Sequence, residues 1–263
     1  MIGGEGVGRV VSIGKAVTTV KPGDIVPIPF GTFVWSEKVT AKAADLIPLS
    51  ANIDLQQAAM VSINPPTAVL LLTEFVTLNP GDWIVFNAAN ASVSQAIIAV
   101  AKSRGIRTLG LVRRKEAVAT ALKAGAEVVL VDDEKVVAEA KKATNNAEIT
   151  LGLDAVGGKS AGSIAKILGN DSHLVSYAAM SGEPIIAGQA DLIFRRMKIH
   201  GFWMYSPQYL PKLKGALLES VQLLEQGKLN VPVAEVYPPE KVKEAIQHTI
   251  KGGKVLLQFN HKK

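Results

Sequence analysis

From residue 82 to residue 177, short and nearly continuous apolar runs alternate with stretches whose apolar positions recur every three to four residues. That pattern predicts strands at 83–87, 108–112, 128–131, 149–154 and 173–177, with helices between them at 93–104, 116–123, 134–144 and 160–168. Strands that are apolar on both faces belong in a parallel sheet covered by helices on both sides. The middle of the chain is therefore predicted to be α/β, a doubly wound parallel sheet of Rossmann type with its ligand crevice at the strand carboxyl ends. A further strand at 198–203 and a long helix at 208–226 follow. The first fifty residues read as all-β: short runs at 7–14, 25–28 and 32–41, with a turn at Lys21-Pro22-Gly23-Asp24. Asp54 is placed to cap a helix at 55–63, and a second helix at 67–75 follows Asn64-Pro65-Pro66. The tail, 231–259, reads as strand, helix, strand and is expected to return to the first β-module. Two domains result: a partial β-rich domain of 1–62 completed by 229–263, and a nucleotide-binding domain of 63–228.

Within this pattern the segment 82–114, DWIVFNAANASVSQAIIAVAKSRGIRTLGLVRR, is strand, turn, helix, strand and then two arginines. A strand feeding a helix N-terminus makes an anion site from free N–H groups and the helix dipole. Glycines normally sit in the turn, where they allow the backbone to approach a pyrophosphate. Ala91, Ser92 and Ser94 stand there instead. A serine at such a place either donates its hydroxyl to phosphate or presses its β-carbon against it, the second costing about 1 to 3 kcal/mol. Arg113 and Arg114 follow the second strand, where an adenosine ribose lies in such folds. An acidic residue there suits the free 2′-hydroxyl of NADH, whereas arginines accept a 2′-phosphate. A solvated basic loop is the plainer alternative.

Composition narrows the function classes. There are no cysteines, and His173, His200, His248 and His261 are too scattered to supply ligand spacing for zinc. Although 48% of residues are hydrophobic, no run approaches the roughly 18 to 20 apolar residues of a membrane span. The charge balance, 29 basic against 23 acidic residues, suits a phosphate-rich ligand, but no basic run with interleaved aromatics points to nucleic acid. Met1-Ile2-Gly3-Gly4-Glu5-Gly6 has neither an apolar h-region nor an Arg-rich amphipathic stretch, so no targeting signal is read there.

Taken in order, GGEGVGRVVSIG, VKPGDIV, NPPTAVLLL, PGDWIVFNAAN, GLDAVGGKS, VSYAAM, IHGFW and GGKVLLQF resemble the zinc-free medium-chain dehydrogenase/reductases over nearly the whole chain. The resemblance is most specific to the mitochondrial trans-2-enoyl-CoA reductases, through the asparagine-containing loop, NPPTA and the GFW triplet. It implies a GroES-like β-rich domain beside the Rossmann sheet, no metal, and NADPH-dependent reduction of a 2-enoyl-CoA or enoyl-acyl carrier protein. Positions that contact NADPH in that family match Asn64, Asn90, Ala91, Ser92, Val93, Arg113, Arg114, Lys115, Tyr177, Ala178, Ala179, Met180, Phe202, Trp203, Met204 and Lys254. Its proton-donating tyrosine matches none of Tyr177, Tyr205, Tyr209 and Tyr237; the matching position lies upstream of GGEG, so no catalytic residue is assigned.

Several of these residues also have ordinary structural readings. Asn64 before two prolines caps a turn equally well, Phe202 and Trp203 read as core, Tyr177 as strand-end packing and Lys254 as a turn lysine. A non-catalytic cofactor-binding member and a quinone or small-enone reductase stay open as alternatives. The resemblance further implies a mitochondrial setting, with cytoplasmic as the alternative, and a homodimer formed through the apolar edge strand at 198–203.

Overall fold

The computed structural model describes residues 3–259. An antiparallel pair, β1 (Val7–Arg9) and β2 (Ile25–Pro27), comes first and is extended only by a bridge between Ile25 and Leu49. The strand expected at 32–41 does not form. There the backbone turns on itself, with Thr32 N–H donating to Pro29 and the Ser36 hydroxyl to Lys38, and Phe33 and Trp35 stay on the surface. Alternating character yields a strand only where a neighbouring strand takes up the backbone bonds.

Asp54 caps α1 (Leu55–Ala58) as its sequence position suggests, accepting from the N–H groups of Gln56 at 2.8 Å and Gln57 at 3.2 Å. This helix lasts barely one turn and stops short of the predicted 63. The next, α2 (Asn64–Leu71), begins three residues before the predicted 67. Pro65 and Pro66 fit its first turn, where a backbone N–H has no intrahelical partner to lose.

The predicted alternation then follows: β3 (Trp83–Phe86), α3 (Ser92–Ser103), β4 (Arg107–Val112), α4 (Val118–Lys123), β5 (Val128–Val131), α5 (Val136–Ala143), β6 (Leu151–Asp154), α6 (Gly158–Ile167), β7 (His173–Ser176), α7 (Gln189–Ile193) and β8 (Lys198–Gly201). The six strands are all parallel and lie in the order β5-β4-β3-β6-β7-β8. Chain order reverses direction at β3, which makes its carboxyl end the topological switch point where such sheets bind ligands. One face is sealed by Trp83, Val85, Leu109, Leu111, Ile164 and Leu174, all buried. Each side chain of this kind contributes about 1.5 to 3 kcal/mol when fully buried. α6 lies close against the sheet over Gly152, where an added β-carbon would come within 2.4 Å of Ile164 Cγ2.

The remaining elements are α8 (Leu213–Glu225), β9 (Val233–Tyr237), α9 (Val242–Lys251) and β10 (Lys254–Leu257). β9 and β10 form their own parallel ladder and add no strand to the β1–β2 pair. The tail is tied to the first residues by side chains instead. Gln57 brackets Val231, donating to its carbonyl at 3.0 Å and accepting from its N–H at 2.8 Å, and Lys254 pairs with Glu5 at 2.8 Å. The chain divides into two compact units, 67–213 and 1–66 with 214–263. α8 thus groups with the tail rather than with the sheet as the 63–228 reading has it; its Glu225 accepts from both the N–H and the hydroxyl of Ser50. Among the described residues no helix is long and apolar enough to cross a membrane.

Candidate functional site

β3 ends at Phe86, and the chain must turn sharply to enter α3 at Ser92. It does so through Ala88, whose φ of 48° lies in the left-handed region, a conformation that costs an L-residue roughly 1 to 2 kcal/mol. Ala91 is the N-cap and offers no side-chain cap. The first N–H groups of α3 therefore have neither a capping side chain nor, as at any helix start, an intrahelical acceptor. The glycine that permits close approach here is on the neighbouring strand. A β-carbon on Gly110 would sit 2.6 Å from that of Ala89, whose N–H donates to Leu111 at 3.0 Å and pins the turn to β4.

The two serines behave differently. Ser92 is partly exposed at the first turn of α3. Ser94 is fully buried, and its hydroxyl turns inward to donate to the Ala88 carbonyl at 2.9 Å. Its bulk is thus absorbed beneath the turn. Beside it lies the buried hydroxyl of Tyr177, which has no hydrogen bond of good geometry. Burial pushes this phenol well above its ordinary range; the neighbouring Ser94 opposes that shift and Asp154 adds to it.

Below the turn is a polar network whose members sequence reasoning did not single out. Asp154, at the end of β6, is fully buried. Its Oδ1 accepts from Asn87 Nδ2 at 2.6 Å and from the N–H groups of Val156 at 3.1 Å and Gly157 at 2.9 Å, while Oδ2 accepts from the Ser176 hydroxyl at 3.1 Å. Asn87 also takes the N–H of Ala155 at 2.7 Å and donates to Ser160, whose hydroxyl donates to Asp132 at 2.5 Å. Two carboxylates, one amide and two serine hydroxyls so join the carboxyl ends of β3, β5, β6 and β7. A signal was present: each of those apolar runs ends in a polar residue, Asn87, Asp132, Asp154 or Ser176.

Parallel pairing brings several predicted site residues to the same side of the sheet. Arg113, Arg114 and Lys115 follow β4, next to the α3 turn; all are exposed, and their side chains make no hydrogen bond or ion pair among the described residues. Asn90 is exposed, and Ala91 and Val93 are partly so. Tyr177, Ala178, Ala179 and Met180 follow β7, the last three on the surface. Of the run after β8, Phe202 packs into the interior against Tyr209 and Phe75, and Met204 is buried, its sulfur accepting from the Thr67 hydroxyl at 3.4 Å. Trp203 alone faces outward, 62% exposed. Asn64 and Lys254 belong to the unit of 1–66 and 214–263. No cluster of three or more potential metal ligands occurs among the described residues.

A parallel sheet reversing at β3, an uncapped helix start at the end of that strand and unpaired arginine side chains at the end of the next together define a dinucleotide-binding fold of Rossmann type. The family profile described as zinc-binding dehydrogenase matches residues 92–220. The mitochondrial enoyl-[acyl-carrier-protein] reductase of Homo sapiens is 33% identical over 258 residues, which are 95% of this chain and 69% of that protein. Among solved structures, the Etr1p complex with NADP and crotonyl-CoA is 27% identical with a TM-score of 0.86, covering 97% of this chain and 79% of that one. Quinone oxidoreductase of Escherichia coli, complexed with NADPH, is 25% identical with a TM-score of 0.83, over 97% and 81%. The chain belongs to the enoyl-[acyl-carrier-protein] reductase family of the medium-chain dehydrogenases/reductases.

Proposed function

We propose that this protein binds NADPH across the carboxyl ends of β3 and β4 and reduces the double bond of a 2-enoyl thioester carried on coenzyme A or acyl carrier protein. The observation that carries the reading is the pairing of an uncapped α3 N-terminus with Arg113 and Arg114, whose exposed side chains have no partner among the described residues. Helix N–H groups suit a diphosphate, and the guanidinium forks suit a 2′-phosphate. Ser92, partly exposed in the first turn of α3, offers its hydroxyl as a further donor. NADPH supplies the hydride when bound; the chain's own part is to hold its phosphates and fix its orientation. Asn64, Tyr177 to Met180, Phe202 to Met204 and Lys254 are assigned to the same cofactor by the family resemblance. Of these, Phe202 and Met204 are buried and Trp203 is exposed.

The test is a titration of NADPH and NADH followed by tryptophan fluorescence, with NADPH consumption then measured against a 2-enoyl-CoA and against a quinone. NADPH is expected to bind more tightly than NADH. Exchange of both arginines for alanine should weaken NADPH about 10- to 100-fold and leave NADH nearly unchanged. Equal affinities in the unaltered protein would remove the 2′-phosphate assignment. A quinone preference would favour the second reading, a quinone reductase, which the likeness to the Escherichia coli enzyme supports. The names of the relatives support a mitochondrial setting, and the one-sided pairing of β8 supports a homodimer joined along that edge.

A further inference from the structure

Serines and threonines inside helices commonly donate to a carbonyl three or four residues back, as Ser103, Thr144 and Ser220 do in this protein. Ser94 does something else. Its hydroxyl reaches six residues back, out of α3 and across the whole turn, to the carbonyl of Ala88. Ala88 is the residue in the left-handed region, where a glycine would be unstrained and an alanine is not. The Ser94 side chain is fully buried, beside the buried Tyr177 hydroxyl, so its rotamer has little freedom to abandon that bond.

We infer that Ser94 is a positioning residue: its hydroxyl holds the strained Ala88 turn closed and thereby aims the first N–H groups of α3, a task that glycines perform in a glycine-rich phosphate loop. The two serines of the loop thus differ, Ser92 being partly exposed at the start of α3 and Ser94 serving as an internal strut. The inference rests on the NADPH reading for its effect on affinity, but its structural half stands without any ligand. It also reverses the simplest expectation for this loop, since restoring a small residue at 94 should harm binding rather than help it.

Three variants decide the matter: Ser94→Ala, which keeps helix propensity but removes the hydroxyl; Ala88→Gly, which relieves the turn; and the two combined. Amide hydrogen exchange at Ala89 and Ala91, whose N–H groups donate to Leu111 and Ala88, is measured without cofactor. NADPH affinity is then measured by fluorescence, with thermal melts as the control for global stability. Ser94→Ala is expected to speed exchange at both amides and weaken NADPH about 3- to 10-fold, the loss of one hydrogen bond. The double variant should return to within about twofold of the parent in both measurements. A merely structural loss would lower the melting temperature without selective rescue by glycine at 88. Unchanged exchange in Ser94→Ala, NADPH binding as tight or tighter, or no rescue by Ala88→Gly would overturn the inference. Absence of NADPH binding by the parent would overturn the cofactor reading instead, leaving exchange alone to decide the role of Ser94.

Discussion

Removing the Asp154 carboxylate would leave the Asn87 amide, two backbone N–H groups and the Ser176 hydroxyl without their acceptor in a region closed to water. Buried donors without acceptors are costly, so Asp154→Ala should destabilise the protein by about 3 to 5 kcal/mol. Asp154→Asn is a different case. The amide oxygen can keep all three bonds now made by Oδ1, and the amide nitrogen can face a reoriented Ser176 hydroxyl, so the loss should stay within about 1 kcal/mol. Urea melts of both variants check this; equal losses would show that the charge, and not the acceptor geometry, matters. The same contrast explains which site residues were legible. Arg113 and Arg114 could be read because their role follows from position along a βαβ unit. The polar ends of the runs at Asn87 and Asp154 were visible, but their pairing was not, because Asn87 meets Asp154 and Ser160 across 67 and 73 residues of chain and only the folded sheet brings them together.

At the scale of elements, the central strands of the sheet were the most legible feature, since they are nearly continuous apolar runs and the expected strands at 83–87, 108–112 and 128–131 fall on β3, β4 and β5. The β-module was the least. Its runs are as alternating as any strand, but a strand exists only through its neighbour, and 32–41 has none. The junction of β7 and β8 carries a contact that no pattern announces. His173 and His200 stack at 5.0 Å, 8° from parallel, with Nδ1 and Nε2 3.0 Å apart, and Phe75 covers His200. One ring must donate and the other accept, so the pair is at its best when not doubly protonated. Burial lowers both pKa values below the ordinary 6.5, with His200 and Lys198 adding to the effect at His173 and Lys198 adding to it at His200. The unfolded chain then binds more protons than the folded one as pH falls past 6.5, so this contribution is complete above that value and is lost on acidification. Urea midpoints should fall between pH 7.5 and 5.5, with a slope of at most about 1.4 kcal/mol per pH unit for each histidine. His200→Gln should flatten the profile; a parent protein equally stable at both pH values would refute the linkage.

For the whole molecule, the switch from short strands to βα alternation and back already suggested two parts. α8 lies in the unit of 1–66 and 214–263; an amphipathic helix does not announce in its sequence which neighbour its apolar stripe will meet. A single chain also leaves an edge open. Among the described residues β8 pairs only with β7, and on it or just before it in the chain Ile193, Phe194 and Ile199 are exposed, Phe194 to 75%. Exposed apolar surface beside an unpaired strand edge promotes association, and two copies related by a twofold axis satisfy it in one closed contact, continuing the sheet from one subunit to the next. Light scattering at tens of micromolar should therefore give twice the chain mass of 27.8 kDa. Because Ile193 and Phe194 contribute little to the interior, Ile193→Glu combined with Phe194→Glu should yield a monomer whose melting temperature drops only by what the lost partner supplied. A parent protein that scatters as a monomer, or a double variant that still pairs, would place the contact elsewhere.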